Sequence, residues 1–91
     1  MKILTSRAFD RELKKLFKRQ PKIVDAVRIT IRMLATDTFD PRLKTHKLKG
    51  RLKESWSCTV EYDLRIVFEI IQDADEATIL LQTIGSHDDV Y

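Results

Sequence analysis

Hydrophobic residues in the first part of the chain recur every three or four positions, which is the spacing of an amphipathic helix. A first helix is predicted over about residues 7–19, with Ser6 as its N-cap. Pro21 is well placed as the first residue of a second helix that extends to about Leu34. A short strand is predicted before them at residues 2–5. Because almost nothing separates the two helices, they are expected to form an antiparallel hairpin.

Past the middle of the chain the period of the pattern changes to two, which is typical of β-strands. Residues 56–61 alternate like a half-buried strand, whereas residues 64–71 are almost continuously apolar, like a central strand. A turn at 73–76 precedes a last strand at 78–84. The pattern predicts an α+β fold, in which an N-terminal strand and a two-helix hairpin pack on an antiparallel sheet of about four strands.

The register of the first hairpin depends on the length of its turn. A two-residue turn would mix polar and apolar side chains on each face of the sheet. A three-residue loop, Tyr62–Leu64, would place Cys58 opposite Phe68 on an apolar face and leave Arg65 on a polar face. Since the buried face sets the register, the three-residue loop is favoured. The other face is then expected to be open and polar.

Length and composition indicate a single globular domain over residues 1–91, with 43% hydrophobic and 34% charged residues. No apolar run approaches the roughly 18 residues of a membrane span. The beginning, MKILTS, lacks the features of a signal peptide, so a cytoplasmic location is expected. The single cysteine, Cys58, excludes an internal disulfide and the usual zinc sites built from several thiolates.

Charge is divided very unevenly along the chain. Residues 1–53 carry sixteen Lys and Arg against five Asp and Glu, a net charge of +11, and residues 54–91 carry one against nine, a net charge of −8. Such asymmetry indicates a surface that binds a polyanion. The alternative is that the basic side chains only solvate the outer faces of the helices.

The densest group of basic residues, here called the basic stretch, spans residues 41–56 and has no acid between Asp40 and Glu54. His46 lies among its cations. This density predicts a phosphate-binding surface without base specificity, although a solvated basic hairpin would look the same. The cations are Arg42, Lys44, Lys47, Lys49, Arg51 and Lys53.

The C-terminal segment, TIGSHDDVY, contains His87, one of only two histidines in the protein. It is either an ordinary polar tail, which could be removed without loss, or one wall of a site. Gly85 is expected to end the last strand and let the backbone turn. His87 would then cross the open face toward Arg65 and Asp63.

Three segments, THKLKG, WSCTVEYDLRIVFEI and IGSHDDVY, resemble successive signatures of the RelE/ParE superfamily of bacterial toxins. The resemblance is closest to the RelE-like mRNA interferases typified by YafQ, and it spans nearly the whole chain. It implies the toxin of a type II toxin–antitoxin system. No cofactor is expected, and nothing in the spacing of His46, Asp63 and His87 demands a metal site. The implied partners are a cognate antitoxin, the ribosome and mRNA, with operator DNA bound by the toxin–antitoxin complex and no membrane contact.

The resemblance also implies the site residues. The expected catalytic groups are His46, Asp63 and His87, which would transfer protons while a ribose 2′-OH attacks the adjacent phosphate. Histidine suits both proton transfers at cellular pH. Binding of RNA phosphates or bases is assigned to Lys44, Lys47, Lys49, Arg51, Arg65 and Tyr91.

One position departs from the family pattern. Thr59 stands near where YafQ-like toxins have a histidine and RelE-like toxins have a lysine, and a hydroxyl cannot act as a base near neutral pH. Other interpretations also remain open, because Asp63 could simply form a turn, Arg65 could pair with a neighbouring glutamate and Tyr91 could cover the sheet edge.

Three hypotheses about function therefore stand. The chain is a ribosome-dependent endoribonuclease toxin that cleaves mRNA and causes growth arrest, a gyrase-inhibiting toxin of the same fold, or a nucleic-acid-binding member without activity. Paired proton-transfer groups favour the first, and Thr59 weakens it.

Overall fold

The computed structural model describes residues 1–50 and 54–91. Helix α1 (Arg7–Arg19) begins where the sequence predicts, because the Ser6 hydroxyl accepts the Phe9 N–H at 3.0 Å. The second helix is split at its start. Pro21–Ile23 form one 3₁₀ turn, and helix α2 (Val24–Thr36) follows directly. The proline therefore opens the helical segment as expected, but in the tighter winding common at helix starts.

The strands are β1 (Lys2–Thr5), β2 (His46–Lys47), β3 (Trp56–Glu61), β4 (Leu64–Asp73) and β5 (Glu76–Ser86). They form a five-stranded sheet in the order β1-β5-β4-β3-β2. The α+β class is confirmed, with two differences from the expected sheet. The two-residue β2 inside the basic stretch adds a fifth strand, and β1 pairs parallel to β5 while the other pairs are antiparallel.

The hydrophobic core lies between the helices and one face of the sheet. The helices contribute residues such as Phe9, Leu16 and Leu34, and the sheet contributes Cys58 and Phe68. Cys58 is completely buried, and this desolvation raises the pKa of its thiol to about 12. The thiol therefore stays protonated and packs as an apolar core group, as its alternating position predicts.

The register of the β3–β4 hairpin differs from the prediction. Cys58 lies opposite Ile66 instead of Phe68, because the turn has two residues and the pairing shifts between Thr59 and Glu61. This β-bulge inserts one extra residue, Val60, and restores the alternation of faces that a plain two-residue turn would reverse. The three-residue loop was therefore the wrong turn, although the assignment of side chains to faces was correct.

The second face of the sheet is not open at its centre. Ser57 and Val67 point away from the core, yet they are only 0% and 2% exposed. The C-terminal segment reaches this face, because the hydroxyl of Tyr91 contacts Ser57. The expectation of an open polar face is therefore wrong here, since strand alternation cannot show where a chain end will lie.

Candidate active site

The C-terminal segment turns at Ser86 and not at Gly85. Strand β5 runs through Gly85 to Ser86, and the short helix α3 (His87–Val90) follows. The Ser86 hydroxyl caps this helix by accepting the Asp89 N–H at 3.2 Å. The predicted backbone role of Gly85 is therefore wrong. A Cβ atom on Gly85 would lie 3.1 Å from Asp89 Cβ and 3.2 Å from Val90 Cγ1, so the glycine provides the space in which α3 packs.

Helix α3 places His87 beside the last residue of the chain. The rings of His87 and Tyr91 meet edge to face, with centroids 4.5 Å apart and an interplanar angle of 89°. The Tyr91 hydroxyl contacts the Ser57 hydroxyl on β3. The His87 side chain remains 58% exposed, and its Nδ1 lies 3.7 Å from a carboxylate oxygen of Asp88. The imidazole is therefore held at the surface and stays accessible.

His46 reaches the same face of the sheet from the edge strand β2. It lies directly opposite Ser57 in the β2–β3 ladder, and directly opposed residues project from the same face. The Nδ1 atom of His46 is 3.0 Å from the backbone carbonyl oxygen of Lys44. Ser57 is thus the common neighbour of His46 and Tyr91, and both histidines belong to one surface.

Arg65 joins this surface from β4. It lies opposite Thr59 on β3 and opposite Gly85 on β5. Its guanidinium Nη1 donates to the carbonyl oxygen of Tyr62 at 2.9 Å, and in the described part of the chain Arg65 makes no ion pair. The ion pair between Arg65 and a neighbouring glutamate, which was the alternative interpretation, is therefore not observed among the described residues.

Asp63 lies in the exposed two-residue turn between β3 and β4, next to Leu64, whose ladder partner Ser86 directly precedes His87. It lines an open cleft of about 310 Å³ at the end of the sheet, together with Arg19 of α1 and Asp89 of α3. No hydrogen bond or ion pair within residues 1–50 and 54–91 joins Asp63 to either imidazole. The role predicted for Asp63 remains a prediction.

The described cations of the basic stretch, which exclude those at 51 and 53, do not all lie on one face. Lys47 lies opposite Trp56, and its Nζ is 5.8 Å from the centroid of the Trp56 ring, on the face of β2 away from His46. Lys44 and Lys49 are exposed, and Lys44 adopts a left-handed backbone conformation with φ of 52°. The predicted RNA-binding residue Arg51 lies outside the described residues.

Arg42 is already engaged within the protein. Its Nε and Nη2 donate to the carboxylate of Asp40 at 3.1 Å and 2.7 Å, and its backbone N–H donates at 2.9 Å. These hydrogen bonds lower the pKa of Asp40 to about 2 and raise that of Arg42. Arg42 therefore adds less free positive charge to the basic stretch than its side chain suggests.

Ser57 is the member of this surface that sequence reasoning missed. The alternating pattern assigned it to the polar face, which is correct, but gave no sign that it would be buried and contact Tyr91. A serine at an alternating position of a strand is ordinary, so the sequence carried no signal that could have identified it.

Comparison with known proteins places this fold among bacterial toxins. The family model "Bacterial toxin of type II toxin-antitoxin system, YafQ" matches residues 1–91. A metal-bound toxin from Helicobacter pylori is similar to this chain, with 33% identity over 100% of this chain and 99% of that chain and a TM-score of 0.82. The chain therefore belongs to the YafQ family of toxins of type II toxin–antitoxin systems. No curated protein matches it.

Two structures from Escherichia coli show the same fold at lower identity. A mutant of YafQ is 19% identical over 98% of this chain and 96% of that chain, with a TM-score of 0.83. The DinJ–YafQ complex is 20% identical over the same shares, with a TM-score of 0.80.

Two further findings concern the described residues, 1–50 and 54–91. No three His, Cys, Asp or Glu side chains among them group together as ligands of a metal ion. No helix among them is both long and apolar enough to cross a membrane.

Proposed function

We propose that this toxin is an endoribonuclease that cleaves mRNA on the translating ribosome in the cytoplasm, by attack of a ribose 2′-OH on the adjacent phosphate. One observation carries the proposal. His46 lies on the edge strand β2 and His87 lies near the end of the chain, yet both belong to a single surface. That surface also contains Arg65. Two imidazoles and a guanidinium supply the proton transfers and the positive charge that metal-free RNA cleavage requires.

The hydrogen bond of His46 favours a role as general base. A carbonyl oxygen can only accept, so His46 Nδ1 must carry the hydrogen in its contact with the Lys44 carbonyl oxygen. In the neutral ring, Nε2 then has the free lone pair and can accept the proton of the 2′-OH. His87 is the matching general acid, which would protonate the leaving 5′-oxygen. Asp63 is proposed to act as a second base, or to orient an imidazole, in the complex with RNA.

The remaining residues are assigned to substrate binding. Arg65 would stabilise the charge that builds up on the phosphate oxygens, and Lys44 and Lys49 would bind flanking phosphates. Tyr91 is 43% exposed, so its ring can still stack on a base while its hydroxyl contacts Ser57. Lys47 is the weakest of the proposed contacts, because it lies on the other face of β2. Arg51 is included on sequence alone.

The proposed partners include a cognate antitoxin, since a toxin of this family has been seen in the DinJ–YafQ complex. The antitoxin is proposed to neutralise the basic stretch with an acidic or helical segment, and the resulting complex to bind operator DNA. If a complex left the basic stretch free and engaged only α1 and α2, inhibition would have to act by displacing His87 or Tyr91.

The test is primer extension on mRNA isolated after the protein is induced in cells. Cuts that keep a fixed phase with the reading frame, and that disappear when the start codon of the reporter mRNA is removed, would support cleavage on the ribosome. Growth arrest with intact mRNA and accumulated gyrase–DNA cleavage complexes would instead establish a gyrase inhibitor. Intact mRNA without growth arrest would indicate an inactive member of the family.

A further inference from the structure

We infer that Ser57 is a positioning residue, whose hydroxyl anchors Tyr91 and thereby holds His87 on the catalytic surface. The inference rests on the proposed function for its catalytic consequence. Its structural part, an anchored chain end, stands on the contacts themselves. Ser57 is completely buried on the face of β3 that points away from the core, and its hydroxyl contacts that of Tyr91.

Helix α3 needs such an anchor because it is weak by itself. It has four residues, none of them buried, and isolated helices this short are unstable in water. Chain ends also fray unless they are tied down. The contacts described between this segment and the strands are the packing on Gly85, the Ser86 cap and the hydroxyl contact at Ser57. Of these, only the last fixes the final residue to the central part of the sheet.

The anchor acts on His87 through the ring of Tyr91. With its hydroxyl held at Ser57, the tyrosine ring lies edge to face with the imidazole, 4.5 Å away. Loss of the anchor would free the ring, and the imidazole would lose the neighbour that limits its orientation. Because a small misplacement of a catalytic group lowers the rate strongly, the chemical step should suffer more than RNA binding.

The same serine is also the register partner of His46. One buried side chain is therefore the ladder partner of His46 and, through Tyr91, the anchor inferred for His87. Ser57 would set their separation without contacting RNA, since its burial leaves it no access to substrate.

The experiment compares Ser57→Ala, Tyr91→Phe and the double variant with wild type in a double-mutant cycle. Each single variant removes one hydroxyl and keeps the rest of the side chain. We expect each to lower kcat about tenfold with little change in KM, and the double variant to resemble either single variant.

Ser55→Ala is the matched control. Ser55 is also buried, at 5% exposure, and it loses an equivalent hydrogen bond, 2.8 Å from its Oγ to Gln82 Oε1. It has no described contact with the tail, so Ser55→Ala should leave kcat within about twofold of wild type.

A second measurement separates the anchor from the proposed chemistry. In NMR spectra of the free protein without RNA, wild type and Ser55→Ala should show nuclear Overhauser contacts between the His87 and Tyr91 rings, whereas Ser57→Ala should lose them. Retained contacts in folded Ser57→Ala, or additive losses of kcat in the cycle, would overturn the inference. If wild type cleaves no RNA but the ring contacts still depend on Ser57, the anchor is correct and the proposed function is wrong.

Discussion

Arg65 lies directly opposite Gly85 in the β4–β5 ladder, so the ladder neighbour of the guanidinium group has no side chain. The same glycine provides the space in which α3 packs. The absence of a side chain at Gly85 thus lets the helix that carries His87 pack directly beside the ladder position of the proposed phosphate ligand. A single substitution at Gly85 should therefore disturb both the packing of α3 and the surroundings of Arg65.

Gly85→Ala should separate folding from activity. The added Cβ would lie 3.1 Å from Asp89 Cβ, closer than normal packing allows, so α3 must shift. Because α3 has no buried residue, the free energy of unfolding should change by less than about 1 kcal/mol. Cutting of mRNA should fall at least tenfold. Thermal melting and primer extension measure both effects, with Asp75→Ala in the turn at the far end of the same hairpin as the control. Normal cutting in Gly85→Ala would mean that the position of α3 is not critical.

Loss of His87 should remove most of the chemistry without affecting the fold. The side chain is largely exposed, so His87→Ala and His87→Gln should melt like wild type. Both should lower the cutting rate by about a hundredfold or more, which is typical of losing a general acid or base. Single-turnover cleavage on programmed ribosomes, with folding checked by circular dichroism, gives the comparison. Unchanged cutting by folded His87→Ala would remove the main argument for an enzyme.

Thr59→His tests whether the departure from the family pattern matters. Thr59 lies directly opposite Arg65, so an imidazole there would enter the proposed catalytic surface. Cutting should be unchanged or faster, because a proton-transfer group replaces a hydroxyl that cannot serve as a base. Thr59→Val keeps the shape of threonine without the hydroxyl and serves as the control. A large loss in both variants would show that the hydroxyl itself has a role.

Alanine at both Lys44 and Lys49 should weaken binding to single-stranded RNA of any sequence. Both lysines are exposed, and each phosphate contact releases counterions, so the slope of log affinity against log salt should become shallower by roughly 1.4. Fluorescence anisotropy at several salt concentrations measures the slope. Alanine at Lys14 and Lys18 on α1 removes the same charge from another surface, and its slope should stay close to that of wild type. Equal changes of the salt slope in the two double variants would indicate that RNA is attracted by the positive charge of the whole protein, and not bound at a defined phosphate site.

The carboxyl group of Asp40 should titrate near pH 2 in the folded protein, below its ordinary value of 3.8, because Arg42 donates to it. A depressed folded pKa contributes stability that is fully present above the ordinary value and is lost as pH falls from about 4 toward 2. Carbon-13 NMR titration of Asp40 measures the pKa directly. Arg42→Ala should return it toward 3.8, while Arg28→Ala on the exposed side of α2 should leave it near 2. A normal pKa in wild type would show that the pair does not persist in solution.

Much of the fold could be predicted from periodicity and helix-end chemistry. The Ser6 cap and the three long strands follow from local rules that act within a few residues. The two-residue β2 could not be predicted, because its pairing depends on β3 and not on its own pattern. The bulge at Val60 could not be predicted from the sequence either. A three-residue loop and a two-residue turn with a bulge place side chains on the same faces, so the hydrophobic pattern does not distinguish them.

The candidate surface was predictable only in part. His46, His87 and Arg65 were named from chemistry and family resemblance, and the structure brings these three to one face. The separation of Lys47 from His46 follows from strand alternation, which could be applied only once β2 was known to be a strand. The burial of Ser57 depends on where the chain end lies, and this is set by packing between residues 34 positions apart.

The parallel pairing of β1 with β5 joins the first strand of the chain to the last. During synthesis Lys2–Thr5 emerge early and have no partner until Glu76–Ser86 have been made. The segment that completes the sheet also leads directly into His87 and Tyr91, so the fold and the proposed catalytic surface are completed together. Under the proposed function, a nascent chain therefore has no complete catalytic surface until its last strand and the helix after it have been made.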